Sequence, residues 1–212
     1  MRQLTLILRN PVFWVLGLYL FFCYLMLQIT LQYIPYDTDV AFLRIKQDYT
    51  GYAHYRIAFF VHVYTSMLVL LAGFTQFSAR LRKKWPTAHK NLGRLYIVVV
   101  LVFSAPSGLV LGVYANGGWS AQVAFCLLAL MWFYFTLRAM QAIRQQNYTA
   151  HQRWMWRSFA LALSAITLRL WKYGLVWAFQ PRPMDVYRWV AWLGWTLNLI
   201  AIELYIIYRK QS

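Results

Sequence analysis

Acidic residues are almost missing from this chain. Five Asp and Glu stand against 21 Lys and Arg in 212 residues, a formal charge of +16. No carboxylate falls mid-way along an apolar run, so a proton relay of membrane carboxylates has little to work with. Cysteine is scarce as well. Cys23 and Cys126 each lie inside an apolar run and lack the close spacing of a zinc or dithiol site, so they read as packing residues. No GxSxG, Walker loop, HExxH or dinucleotide fingerprint occurs, which weighs against hydrolases and nucleotide-driven pumps.

Apolar residues make up 61% of the chain, aromatics 19% and charged residues only 12%, more than one soluble core can bury. That composition predicts an all-α integral membrane bundle. A hydrocarbon core of about 30 Å needs roughly 20 apolar residues per helix. Six runs meet this length, at about 11–34, 56–79, 92–115, 119–141, 157–179 and 187–208, and they are read as one polytopic domain over 1–212. Residues 95 to 137 carry no charge, and "YANGGWS" in their middle supplies the turn of a hairpin. The fifth run contains Arg169 and Lys172, and the sixth contains Glu203. The first run is too long for a signal-peptide core and reads as a retained span.

The cations set the orientation. With both termini on one side, that side collects Arg2, Arg9, Arg80, Arg82, Lys83, Lys84, Lys90, Arg94, Arg138, Arg144, Arg153, Arg157, Arg209 and Lys210; the other holds about half as many. Both termini are therefore expected in the cytoplasm, with the protein in a bacterial inner membrane. Tyr33, Tyr36, Tyr49, Tyr52 and Tyr55 bracket the first outer loop in the manner of an aromatic belt. The partners this charge selects are anionic lipid headgroups on the cytoplasmic side, with a second copy or another membrane protein as further partners and nucleic acid excluded.

Several polar groups sit where lipid offers them no partner. His62, Ser66, Val69, Gly73 and Gln76 share one stripe of the second span, and a histidine at that depth is either hydrogen-bonded to a neighbouring helix or part of a ligand, cofactor or proton site. Ser104, Gly108 and Gly112 recur at intervals of four, a pattern for close helix packing, and Pro106 among them predicts a kink. Arg169 lies at a depth similar to His62 and can join it, with Ser66, Ser104 and Ser107, in an outward-facing polar pocket for an anionic or quinone-like head. Glu203 is expected to pair with Arg157 or Arg153. On the cytoplasmic side "AHKNLGRLY" opens the third span and "AHQRWMWRS" the fifth. His89 with Arg94, and His151 with Arg153 and Arg157, then stand at two helix starts facing one aqueous layer, where they can grip phosphate or propionate oxygens. His89 and His151 are also the pair suited to a metal ion or a single heme. Four histidines in all are too few for a two-heme cytochrome.

These residues resemble a known family. "GFTQF" with Arg80 and Arg82, then "HKNLGRLY", Gly117 with Gly118, Trp132, Arg138 with Ala139, Arg144, "HQRWMWRS" and "TLRLW" are similar to the bacterial membrane proteins called domain of unknown function 2306, over about residues 62 to 171. Lys90 and Gln152 stand where the family commonly has arginine after each histidine. The resemblance implies a polytopic fold with shared polar positions at His62, Arg80, His89, Arg94, Arg144, His151, Arg153, Arg157 and Arg169, and it implies no activity.

Two kinds of function fit the residues. One is a noncatalytic membrane protein, an assembly partner or a binder of lipid or another amphiphile, with a polar His/Arg seam. The other is a redox module similar to a b-type cytochrome, holding heme b, a quinone or a metal through His62, His89 and His151, with Arg94, Arg153, Arg157 and Arg169 beside the cofactor. A small-molecule transporter is a third.

Overall fold

The computed structural model describes residues 11–211, with the side chains of Pro11, Val12, Phe74, Arg80, Lys210 and Gln211 outside the description. Arg2 and Arg9, counted above for orientation, also lie outside the described residues. Among the described residues every regular element is helical: α1 (Pro11–Leu31), a 3-10 turn (Ala41–Lys46), α2 (Gln47–Thr50), α3 (Ala53–Gln76), α4 (Ala79–Lys84), α5 (Pro86–Val98), a π-helical segment (Val99–Ser104), α6 (Ala105–Val113), α7 (Trp119–Arg144), α8 (Tyr148–Ala162), α9 (Ser164–Phe179) and α10 (Pro183–Gln211). Five stretches are long and apolar enough to cross a bilayer: 13–31, 53–73, 86–113, 119–144 and 183–209. The pair α8 and α9 brings the number to six when counted as one span.

The fifth span departs most from the expected 157–179. It starts nine residues earlier, at Tyr148, because Asn147 caps the helix by accepting from the Ala150 amide at 3.0 Å. It then bends by 40° between α8 and α9. A break at membrane depth frees carbonyls that lipid cannot satisfy, so side chains must do it. On α10 the Asn198 amide nitrogen lies 3.0 Å from the Ala160 carbonyl, 3.1 Å from that of Gly194 and 3.0 Å from the Thr167 hydroxyl, so its two hydrogens are shared among three acceptors, and the one Thr167 hydroxyl hydrogen is shared between the Leu163 and Gly194 carbonyls.

The third span differs too. The kink expected at Pro106 is a widened turn instead: residues 99 to 104 are π-helical, the Ala105 amide reaches back to the Val100 carbonyl, and Pro106 enters the first turn of α6, where its missing N–H costs little. Gly112 brings α6 close to α7, since a Cβ there would meet the Cys126 backbone nitrogen at 3.0 Å. The second span ends at Gln76 rather than 79, because Ser78 caps α4 by accepting from Leu81 at 3.1 Å.

The tyrosines expected to bracket the first outer loop form a packed cap in part. Tyr33 and Tyr55 are 2% and 1% exposed, packed edge-on against Phe59 or around Tyr114, whereas Tyr36 and Tyr52 are exposed. Lys46 closes this cap from within: its ammonium donates to the Tyr114 carbonyl and lies over the Phe42 and Tyr49 rings, and burial pushes its pKa down.

Three helices are joined at the centre of the bundle by fully buried hydroxyls. Tyr96 of α5 shares a 2.8 Å hydrogen bond with Ser158 of α8, and Ser158 shares one of 2.7 Å with Thr136 of α7. All three are 0% exposed. Ser158→Ala removes both interhelical bonds, and each is worth about 0.6–1.7 kcal/mol in a membrane interior. The variant is therefore expected to unfold at lower temperature in detergent than the parent. An unchanged midpoint would refute the joint.

Candidate functional site

α5 and α8 both begin on the face that carries the turns at 76–86 and 144–148, here termed the basic face, and both run inward from it. A histidine stands one turn into each. His89 is seven residues before Tyr96 and His151 seven before Ser158, and seven residues bring a helix back to nearly the same face about 10 Å along its axis. The hydroxyl joint therefore turns both histidines toward each other's helix two turns nearer the basic face. The two imidazoles lie within electrostatic reach of one another.

Between them opens a cleft of about 1740 Å³, walled by the end of α3, by α4, α5, the last turns of α7, α8 and α10. It runs the length of α8, from Tyr148 to Leu163, which at 1.5 Å per residue is roughly 22 Å, most of a hydrocarbon core of about 30 Å. Its walls are apolar, with Phe77, Ile97, Met155, Phe159 and Leu163 among them. Its charged lining is of one sign: Arg82, Lys90, Arg94, Arg144 and Arg209, with no acid among the lining residues. Gly93 lets this wall close up, because a Cβ there would come within 2.8 Å of the Gln76 carbonyl oxygen.

The two histidines differ in what they offer. His151 Nδ1 lies 2.9 Å from the Ala139 carbonyl. A carbonyl only accepts, so Nδ1 carries the proton and Nε2 keeps a lone pair. His89 has its Nδ1 buried with no protein partner, which costs about 1–3 kcal/mol unless a ligand or water meets it.

The expected site residues divide into four places. His89, Arg94 and His151 meet at the cleft. Arg153 lines a small hollow beside it with Arg209 and Trp156. Arg157 turns to α10, where it binds Glu203 in bidentate fashion, with Nη2 to Oε2 at 2.8 Å, and lies 4.7 Å from the Trp154 ring centroid. The carboxylate thus takes the guanidinium that the spacing had placed with His151. His62 belongs to the far half of the bundle. Its Nδ1 donates to the Ser104 carbonyl at 2.9 Å, Ser107 stands at 3.3 Å, and the ring packs over Gly108. Arg169 is within electrostatic reach of His62, Tyr33 and Tyr187, donates to the Ala165 carbonyl of its own helix and pairs with no acid among the described residues. Ser66, expected beside them, has a buried hydroxyl without a partner. The side chain of Arg80 lies outside the described residues.

Asn198 was passed over by the sequence reading. It lines the inner end of the cleft and ties down the α8–α9 break. An amide within "WTLNLIAIEL" was the available signal, since a polar side chain at that depth has to find partners.

A helical, multi-pass membrane protein with a basic, apolar-walled cleft is the class that this architecture defines. The family model Predicted membrane protein (DUF2306) matches residues 59–206, more than two thirds of the chain, and the protein belongs to that family. No curated protein and no solved structure matches it.

The Arg157–Glu203 pair makes a direct check on this partition. Arg157→Leu leaves a carboxylate alone among α10 side chains and is expected to cost roughly 2–4 kcal/mol, with most of that recovered when Glu203→Leu is added. A double variant as unstable as the single one would show that the arginine acts elsewhere.

Proposed function

We propose that the protein is a noncatalytic binder of an anionic amphiphile in a bacterial inner membrane. The cleft carries this reading: five cations and no acid line it, and its apolar walls extend most of the way through one hydrocarbon thickness. A charged head would rest among Arg82, Arg94 and Arg144 near the basic face, and an apolar chain would lie along Phe77, Met155, Phe159 and Leu163. The phosphate-matching fork of arginine and the apolar trough each recruit one end of such a molecule. His89 Nδ1, unpartnered within the protein, is one more group for the head to meet.

The test is native mass spectrometry of protein released gently from the membrane. Each cation near a bilayer surface contributes roughly 1 kcal/mol to holding an anionic lipid, so Arg94→Gln with Arg144→Gln is expected to weaken retention about thirtyfold. Equal retention by parent and double variant would remove the proposal.

A second reading is favoured by His151 alone. An imidazole whose Nδ1–H is fixed on a carbonyl and whose Nε2 is free has the arrangement of an axial ligand, and His89 shares its cleft. This reading takes a heme, a quinone or a metal ion as the group that would meet His89 and His151. For heme it predicts a Soret band in protein from heme-supplied cells that disappears in His151→Ala; a colourless protein from such cells removes the heme.

A further inference from the structure

We infer that the head bound in the cleft is a multiply charged phosphate, a monoester or diphosphate on an apolar chain, and not the singly charged diester of an ordinary phospholipid. The inference rests on the amphiphile reading and adds the charge class. Five cations line one cleft with no acid among its described lining residues, and Glu203, six residues before Arg209, is already held by Arg157. A diester brings one negative charge to a lining that holds five cations and no acid. A terminal phosphate contributes about 1.5 to 2 charges and three acceptor oxygens, enough to accept from more than one arginine fork, and a diphosphate contributes more.

The placement of the cations agrees with this. Arg82 comes from α4, Lys90 and Arg94 from α5, Arg144 from the end of α7 and Arg209 from α10, so four helices contribute to one opening. Cations serving only as topology anchors have no reason to converge in this way, since position along the membrane normal is all that such anchoring requires. α5 and α8, each more than three turns long, also start here, and the positive ends of their dipoles add favourable potential for an anion.

Dodecyl phosphate, dodecyl methyl phosphate and inorganic phosphate separate the head charge from the chain. All three would be titrated against the full chain in neutral detergent and read by native mass spectrometry. The monoester is expected to bind about tenfold or more tightly than the methyl diester of the same chain, and that ratio should fall toward one in Arg94→Gln with Arg144→Gln. Inorganic phosphate should bind at least as much more weakly than dodecyl phosphate. Equal binding of monoester and diester, both lost in the variant, would overturn the charge class and leave the amphiphile site standing. Equal binding of inorganic phosphate and dodecyl phosphate would overturn the apolar chain. Binding of none of the three would overturn this inference together with the reading beneath it. The ratio in the parent protein decides the charge class even if the variant fails to fold.

Discussion

Tyr96, Ser158 and Thr136 hold the arrangement on which the rest depends. Lipid is as apolar as the side chains facing it, so helices in a membrane are not driven together by burial of apolar surface; close packing and interhelical hydrogen bonds position them. Here the buried hydroxyls set both the level and the rotation of α5, α7 and α8. From that level, two turns toward the basic face along α5 and α8 arrive at His89 and His151, and one turn along α7 arrives at Ala139, whose carbonyl orients His151. The cleft histidines are thus set by the same helix phases as the joint. The shared spacing of seven residues is what couples them.

The other end of the cleft depends on a break. A straight fifth span would continue the apolar wall of α8, but the 40° bend at Leu163 turns the chain away and leaves Asn198 to bind the Ala160 carbonyl. Irregular backbone at membrane depth is tolerated where protein or a cavity surrounds it. The cleft therefore has Asn198 among apolar side chains toward one end and its cations toward the basic face. That polarity, charge at one end and hydrocarbon along the length, is the shape of an amphiphile.

Charge is distributed between structure and site by the shortage of acid. With five carboxylates in the chain, most cations have none to pair with. Glu203 neutralises Arg157, Asp39 and Asp185 sit by Arg44 and Arg188, and the cations at the cleft have no acid among the described lining residues. On the far half of the bundle Arg169 has tyrosines and His62 around it instead of an acid.

Composition and run length by themselves determined the helical membrane class and the number and approximate limits of the spans, because the thickness of hydrocarbon dictates how many consecutive residues must be apolar. The ordered motifs from "HKNLGRLY" to "TLRLW" determined the family. Local spacing also placed His89 and His151 at equivalent helix starts, since both sit one turn after a capping or proline signal. Depth along the spans already offered Glu203 to Arg157 or Arg153; tertiary structure decided between the two and left Arg94 at the cleft. Arg94 and Arg157 look alike in sequence, each five or six residues after a histidine, yet one faces the cleft and the other Glu203, a choice made by a residue 46 positions away. The separation of His62 from the cleft, the π-helical turn before Pro106 and the bend at Leu163 likewise depend on which neighbour satisfies each backbone group. No local pattern records that choice, because in a membrane the satisfying group comes from another helix.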